Sequence, residues 1–210
     1  MTRTNQKTQA AEKSKQLILD AAEILFAEKG FEKTSLQEIC DQAGVARGTP
    51  GYFFGSKEGL YQAVLDRAFA EPLQLVLALK TLAQQPAHDP RQLLRFAIEQ
   101  FFDFQFKHPR FVRLTEWETL SGGQYLSKLP SQLEVFREAL ALMQHELHWQ
   151  GEPEQFMIDL TALCWFPMAH AETFLRPLGM DMQDPQTREN RKQHVVDLLL
   201  SKYLPERKET

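Results

Sequence analysis

Thr34-Ser35-Leu36-Gln37-Glu38-Ile39-Cys40-Asp41-Gln42-Ala43-Gly44-Val45-Ala46-Arg47-Gly48-Thr49-Pro50-Gly51-Tyr52-Phe53-Phe54 is the stretch on which the fold turns. Ser35 and Glu38 have the S-x-x-E spacing in which a hydroxyl and a carboxylate each satisfy a free backbone N–H at a helix start. Leu36, Ile39, Cys40 and Ala43 then recur at helical spacing as one inward face, and Gly44 stops the segment. A second short helix is expected over Ala46–Phe54, closed by Gly55. Two short helices joined by a turn at Gly44-Val45 have the spacing of a helix-turn-helix, at about 35–54. Any small helical bundle contains such spacing, so the flanking residues decide what it means.

Upstream, residues 1–13 are polar and carry Arg3, Lys7 and Lys13 against Glu12, the composition of a flexible basic arm. A first helix starts at Ser14, whose hydroxyl can cap it. It presents Leu17, Ile18, Ala21, Ala22, Leu25 and Phe26 on one face and ends at Gly30, with Phe31 folding back on its last turn. Downstream, Ser56 caps a fourth helix with Leu60, Val64, Ala68 and Phe69 inside, which Pro72 kinks or ends. Helices follow at 73–84, 90–106, 109–120, 131–149, 154–176 and 187–204, with loops at 85–89, 121–123, 150–153 and 177–186. No stretch alternates cleanly enough for a strand. The fold expected is all-α, a three-helix head at 14–67 joined to a larger helical bundle at 68–210.

Around the motif, Leu19-Asp20-Ala21-Ala22, Leu25-Phe26, Gly30-Phe31, Thr34-Ser35, Ala43-Gly44-Val45, Gly48-Thr49, Tyr52, Phe54 and Ser56-Lys57-Glu58 fall in a fixed order. In that order and spacing the chain resembles the DNA-binding domain of the TetR family of transcriptional regulators. The resemblance implies a DNA-reading head, a ligand-binding and dimerisation body, and release from a DNA operator when a small-molecule effector binds. Two departures stand out. After Gly48-Thr49 the family usually carries a large apolar residue and a tyrosine, where this chain has Pro50-Gly51, and Ala46 offers no capping hydroxyl.

The residues suit DNA on physical grounds as well. The N-terminal residues of the second helix of such a motif reach base edges in the major groove. Arg47 is the first choice for a base contact, since an arginine bidentate on guanine discriminates by about 1–3 kcal/mol. Thr49 can reach a base or a phosphate, and bare Gly48 and Gly51 allow close approach. Tyr52 can donate to a phosphate. Lys57, Thr34 and Ser35 stand at helix starts, where free N–H groups favour phosphate. The competing readings are a pure cap for Ser35, a solvated charge for Arg47 or Lys57, and core for Tyr52 and Phe54. Residues 1–67 hold nine Lys or Arg and nine Asp or Glu, so affinity must come from where charges sit.

In the body, aromatic density singles out Phe101, Phe104, Trp117, Trp165, Phe166 and His170 as candidate ligand contacts, against the competing reading that aromatics at helical spacing are core. Pro167 should kink its helix and free the Leu163 carbonyl. Residues 156–175 are apolar nearly all round, and with the last helix they form the expected dimer interface of Phe156, Leu160, Leu163, Val195, Leu199 and Tyr203. A two-fold homodimer would then read a near-palindromic double-stranded DNA operator.

The formal net charge of −4 argues against a chain basic all over. The polar start and the absence of a long apolar run predict a cytoplasmic protein with no membrane partner. Cys40 and Cys164 read as small buried hydrophobes. His145 and His148 are three apart, but no cluster supports a metal, and neither a catalytic constellation nor a phosphate loop appears. Neither a metal, a cofactor nor an enzyme activity is expected. The alternative reading is a helical small-molecule-binding or interaction protein whose head no longer binds DNA.

Overall fold

The computed structural model describes residues 3–85, 89–146 and 152–204, with the backbone alone at 3–6 and 146. Among these residues there is helix and no strand. The main helices are α1 (Arg3–Lys33), α2 (Leu36–Ala43), α3 (Thr49–Phe54), α4 (Lys57–Ala83), α5 (Pro90–Lys107), α6 (Pro109–Leu120), α7 (Pro130–Ala141), α8 (Pro153–Ala169) and α9 (Pro185–Tyr203). Single turns of tighter or wider helix occur at Leu126–Lys128, Leu142–Glu146, Ala171–Leu175 and Arg176–Leu178.

Most expected elements are present, and the differences have local causes. The first helix does not begin at Ser14 but runs back to Arg3, so residues 3–13 are helix rather than an irregular arm. Gln6, Gln9, Ala10, Ala11 and Glu12 are good helix formers with no breaker among them. Ser14 caps nothing; its hydroxyl donates to the Ala10 carbonyl one turn back at 3.0 Å. At Gly30 (φ 76°, ψ 172°) the chain leaves the helical conformation, and one more turn follows to Lys33. Pro72 does not end α4, which absorbs it and continues to Ala83. The expected helix 154–176 gives up regular geometry at His170, three residues after Pro167, and continues as a widened turn. Residues 147–149 of the expected helix 131–149, His148 with them, lie outside the described residues, as do Met1 and Thr2 of the arm.

Contacts divide the chain into two units. The first comprises Met1–Phe69 and Arg113–Gln132, so most of α6 and the turn after it group with the N-terminal residues rather than with the body. Its core holds Ile18, Ala22, Phe26, Ile39, Leu60, Tyr61, Val64, Leu65 and Leu114, all buried. The rings of Phe26, Phe31, Tyr61 and Tyr125 pack together, mostly edge-on or tilted, at centroid distances of 4.8–6.1 Å. Glu118 is buried beneath them, and its carboxylate accepts the Tyr125 and Leu126 N–H groups at 3.0 and 2.8 Å. Burial beside that carboxylate pushes the Tyr61 phenol well above its ordinary range.

The second unit comprises Ala70–Val112 and Leu133–Thr210. Leu79, Leu94, Ile98, Phe102, Phe156, Cys164, Val195, Val196, Leu199 and Leu200 form its core. α9 runs antiparallel along α5: Asp197 pairs with Arg95 (3.6 Å), Lys192 with Asp103 (3.2 Å), and Arg188 lies over the Phe106 ring (4.0 Å). Burial pushes the Cys164 thiol up to about 12, which fits a buried hydrophobe rather than a reactive thiol. No described helix is long and apolar enough to cross a membrane.

Candidate nucleic-acid interface

The motif is built as its sequence demands. The Ser35 hydroxyl accepts the Glu38 N–H at 3.2 Å, and the Glu38 carboxylate accepts the Ser35 N–H at 2.9 Å, which closes the capping box. Lys29 reaches the same carboxylate at 2.6 Å and joins α1 to α2. Its donation, with that from Ser35, lowers the Glu38 pKa to about 2. Gly44 takes the left-handed conformation (φ 67°) that ends α2 and turns the chain toward α3.

α3 is shorter than expected. It begins at Thr49, with Gly48 as its cap, and not at Ala46. Pro50 has no N–H to give and clashes in a helix interior, so the chain places it at the second helical position, where neither matters. Arg47 therefore lies in the turn before the helix. Its side chain is exposed, and its carbonyl accepts a weak hydrogen bond from the Cys40 thiol at 3.7 Å. Pro50 is buried and anchors the helix; Gly48 and Gly51 are exposed, and Tyr52 is 83% exposed. A Cβ on Gly48 or Gly51 would meet nothing within 4 Å, so nothing within the protein requires glycine there. Ser14, Ala46, Gly48, Thr49, Tyr52 and Phe53 line an open concavity of about 370 Å³.

The structure thus gathers Arg47, Gly48, Thr49, Gly51 and Tyr52 around one short helix, with exposed Ser35 at the start of α2. Two expected contacts move elsewhere. Thr34 is 1% exposed, and its hydroxyl donates to the Gly30 and Leu25 carbonyls at 2.8 and 3.2 Å, so it ties the α1–α2 turn together. The Lys57 ammonium sits over the Phe31 ring at 4.2 Å and donates to the Glu32 carbonyl at 3.4 Å; a phosphate contact would require it to leave both. Ser14 and Phe53 were not legible as part of this surface. Ser14 arrives from a distant turn of α1, and no local signal marks it.

In the second unit, Trp165, Phe166 and His170 come together at the end of α8, with His170 5.8 Å from Trp165 and 4.6 Å from Phe166. Phe101 packs against the core, and buried Phe104 stacks on His108 at 4.5 Å. Trp117 does not belong with them: it groups with the first unit, where its Nε1 donates to the Ala27 carbonyl at 3.2 Å. Buried Gln105, missed in the sequence reading, continues the Leu94, Ile98, Phe102 stripe of α5, and its Oε1 has no partner among the described residues.

The expected dimer residues fall on or beside the chain's own core. Phe156, Val195 and Leu199 are buried inside the single chain, where α8 and α9 pack on their own core. Leu160, Leu163 and Tyr203 also pack against that core, and the Tyr203 hydroxyl donates to Asp159 at 2.6 Å. The exposed apolar residues on the same helices are instead Ile158, Ala162 and Phe166 on α8 and Leu198 on α9. An amphipathic pattern gives the existence of two faces; which one meets the chain's own core is decided by packing.

No group of three metal-ligating side chains occurs among the described residues. His145 is exposed, and His148 lies outside them.

The model of bacterial regulatory proteins of the tetR family matches residues 18–64, and that of the tetracyclin repressor-like C-terminal domain matches residues 90–199. The HTH-type transcriptional repressor NicS of Pseudomonas putida is 26% identical over 207 residues, covering 94% of this chain and 96% of NicS. The HTH-type transcriptional regulator RutR of Escherichia coli is 33% identical over 126 residues, covering 59% of this chain and 56% of RutR. Among solved structures, a TetR-family transcriptional regulator from Mesorhizobium loti superposes with a TM-score of 0.66 at 19% identity, over 97% of this chain and 99% of that one.

Proposed function

Since the chain belongs to the TetR family of bacterial regulatory proteins, and is therefore a transcriptional regulator, we propose that it is a repressor that binds a near-palindromic operator as a homodimer and is released by a small-molecule effector. The observation that carries the DNA reading is the surface of exposed Arg47, Gly48, Gly51 and Tyr52 with half-buried Thr49, around a helix anchored from below by Pro50. Arg47 reads base edges, Thr49 and Tyr52 give hydroxyls to bases or phosphates, and exposed Ser35 adds a contact at the start of α2. Support for repression comes from NicS, a transcriptional repressor matched over nearly its whole length. Acting on DNA places the protein in the cytoplasm.

The exposed apolar residues Ile158, Ala162, Phe166 and Leu198 support α8 and α9 as the face that a second copy covers. Effector binding belongs to the second unit. Its support there is the aromatic surroundings of α5, with the unpartnered Gln105 oxygen as a polar handle, and the Trp165–Phe166–His170 group. An effector lowers operator affinity only by the difference in its affinity for the DNA-bound and free forms.

A mobility-shift titration with DNA from upstream of the protein's own gene tests the reading. The wild type should shift a discrete, near-palindromic site in a salt-dependent way. Arg47→Ala should lose about 1–3 kcal/mol of base discrimination at one position of each half-site. Unchanged preference in Arg47→Ala would remove Arg47 from the reading surface, and failure of the wild type to prefer any sequence would remove the DNA function.

A further inference from the structure

Two donors from α6 converge on one backbone oxygen of α1. Arg113 donates from Nε to the Ala27 carbonyl at 3.0 Å, and Trp117 donates to it from Nε1 at 3.2 Å. The oxygen is reachable because of Gly30. A regular helix would bring the Phe31 N–H to Ala27, but Gly30 departs from the helix one residue earlier and interrupts the ladder there. The same glycine lets the indole lie flat on the backbone. A Cβ built on Gly30 would stand 2.9 Å from the Trp117 ring, closer than real side chains tolerate.

From this point a chain of contacts leads to the DNA-facing motif. Thr34 ties the Gly30 carbonyl to the turn, Ser35 caps α2, and Lys29 holds Glu38 on the first turn of α2. The end of α1 and the start of α2 are thus one hydrogen-bonded block, and α6 grips that block at Ala27.

On the premise that the first unit binds an operator, we propose that Arg113 and Trp117 are positioning residues for operator binding. They set the end of α1, and through it the placement of α2 and α3, without touching DNA. Neither residue stands on the surface formed by Arg47, Thr49 and Tyr52, so replacing them removes no DNA-facing group and changes only how those groups are held.

The test uses the full-length protein and an operator selected by the wild type from random-sequence duplex DNA. Trp117→Phe keeps an aromatic ring beside Gly30 but removes the N–H together with part of the indole; Arg113→Gln removes the second donor by a different chemistry. Operator affinity is measured well below the melting temperature, together with the salt slope and amide exchange in α2 and α3. Each variant should bind about 3- to 30-fold more weakly. The salt slope should be unchanged, because the same phosphates are neutralised, and exchange in α2 and α3 should be faster. A merely stabilising pair would lower the melting temperature and leave affinity untouched, and that result, or wild-type affinity in both variants, overturns the proposal. If the wild type enriches no sequence, the operator premise itself fails, which the selection reveals before any variant is made.

Discussion

Arg191 of α9 donates from Nη2 to the carbonyl of Leu163 in α8 at 3.2 Å. Leu163 stands four residues before Pro167, which has no N–H to return to it, so the guanidinium supplies the donor that the helix lacks. A proline buried inside α8 and an arginine on the neighbouring helix are two halves of one arrangement. Replacing Arg191 by Met should cost about 1–2 kcal/mol, the usual penalty for stranding a carbonyl. Pro167→Ala restores an N–H to the ladder, so the cost of Arg191→Met should shrink in that background. Urea unfolding of the four proteins of this double-mutant cycle measures it; additive costs would mean the two residues are unrelated.

Lys57 provides a test of where the positive charge acts. As a phosphate clamp, its loss would flatten the salt dependence of operator binding by about 0.9. Held on Phe31 and Glu32, Lys57→Met should leave that slope unchanged. It should instead lose a cation–π contact of about 0.5–1 kcal/mol, seen as a melting temperature lower by about 1–4 °C. Mobility shifts at four salt concentrations and a thermal melt distinguish the outcomes.

The two faces of α8 and α9 should respond differently to a charge. Ile158→Asp places a carboxylate on an exposed residue, and the variant should stay folded and elute as a monomer where the wild type should elute as a dimer. Leu199→Asp buries a carboxylate in the core and should unfold the protein, since an unpaired buried charge is not tolerated. Light scattering after gel filtration, with circular dichroism for folding, reads both. An Ile158→Asp protein that remains dimeric would move the interface away from this face.

The α1–α2 junction should be acid-sensitive through Glu38. Its folded pKa of about 2 lies below the ordinary value of 4.5, so its contribution is complete above 4.5 and disappears as pH falls toward 2. Glu38→Gln should therefore melt earlier than the wild type at pH 7, and the two melting curves should converge as pH approaches 2. A difference in melting temperature constant from pH 7 to pH 2.5 would contradict this origin.

The cap at Ser35, the stop at Gly44, the proline-bounded helices and the all-α class are local matters. Each rests on residues within a few positions of one another, whose hydrogen-bonding and steric preferences act on their own backbone, and so the linear chain sufficed to read them. Thr34, Trp117 and Val195 show where such reading ends. A threonine beside a helix start has the same local chemistry whether its hydroxyl meets a phosphate or the Leu25 carbonyl. An indole has the same hydrophobicity against Gly30 as in a ligand cavity. Two apolar faces on α9 cannot be ranked until one of them finds α5 and α8. Those choices depend on contacts between residues tens of positions apart, where burial and shape match decide and no periodicity carries the answer.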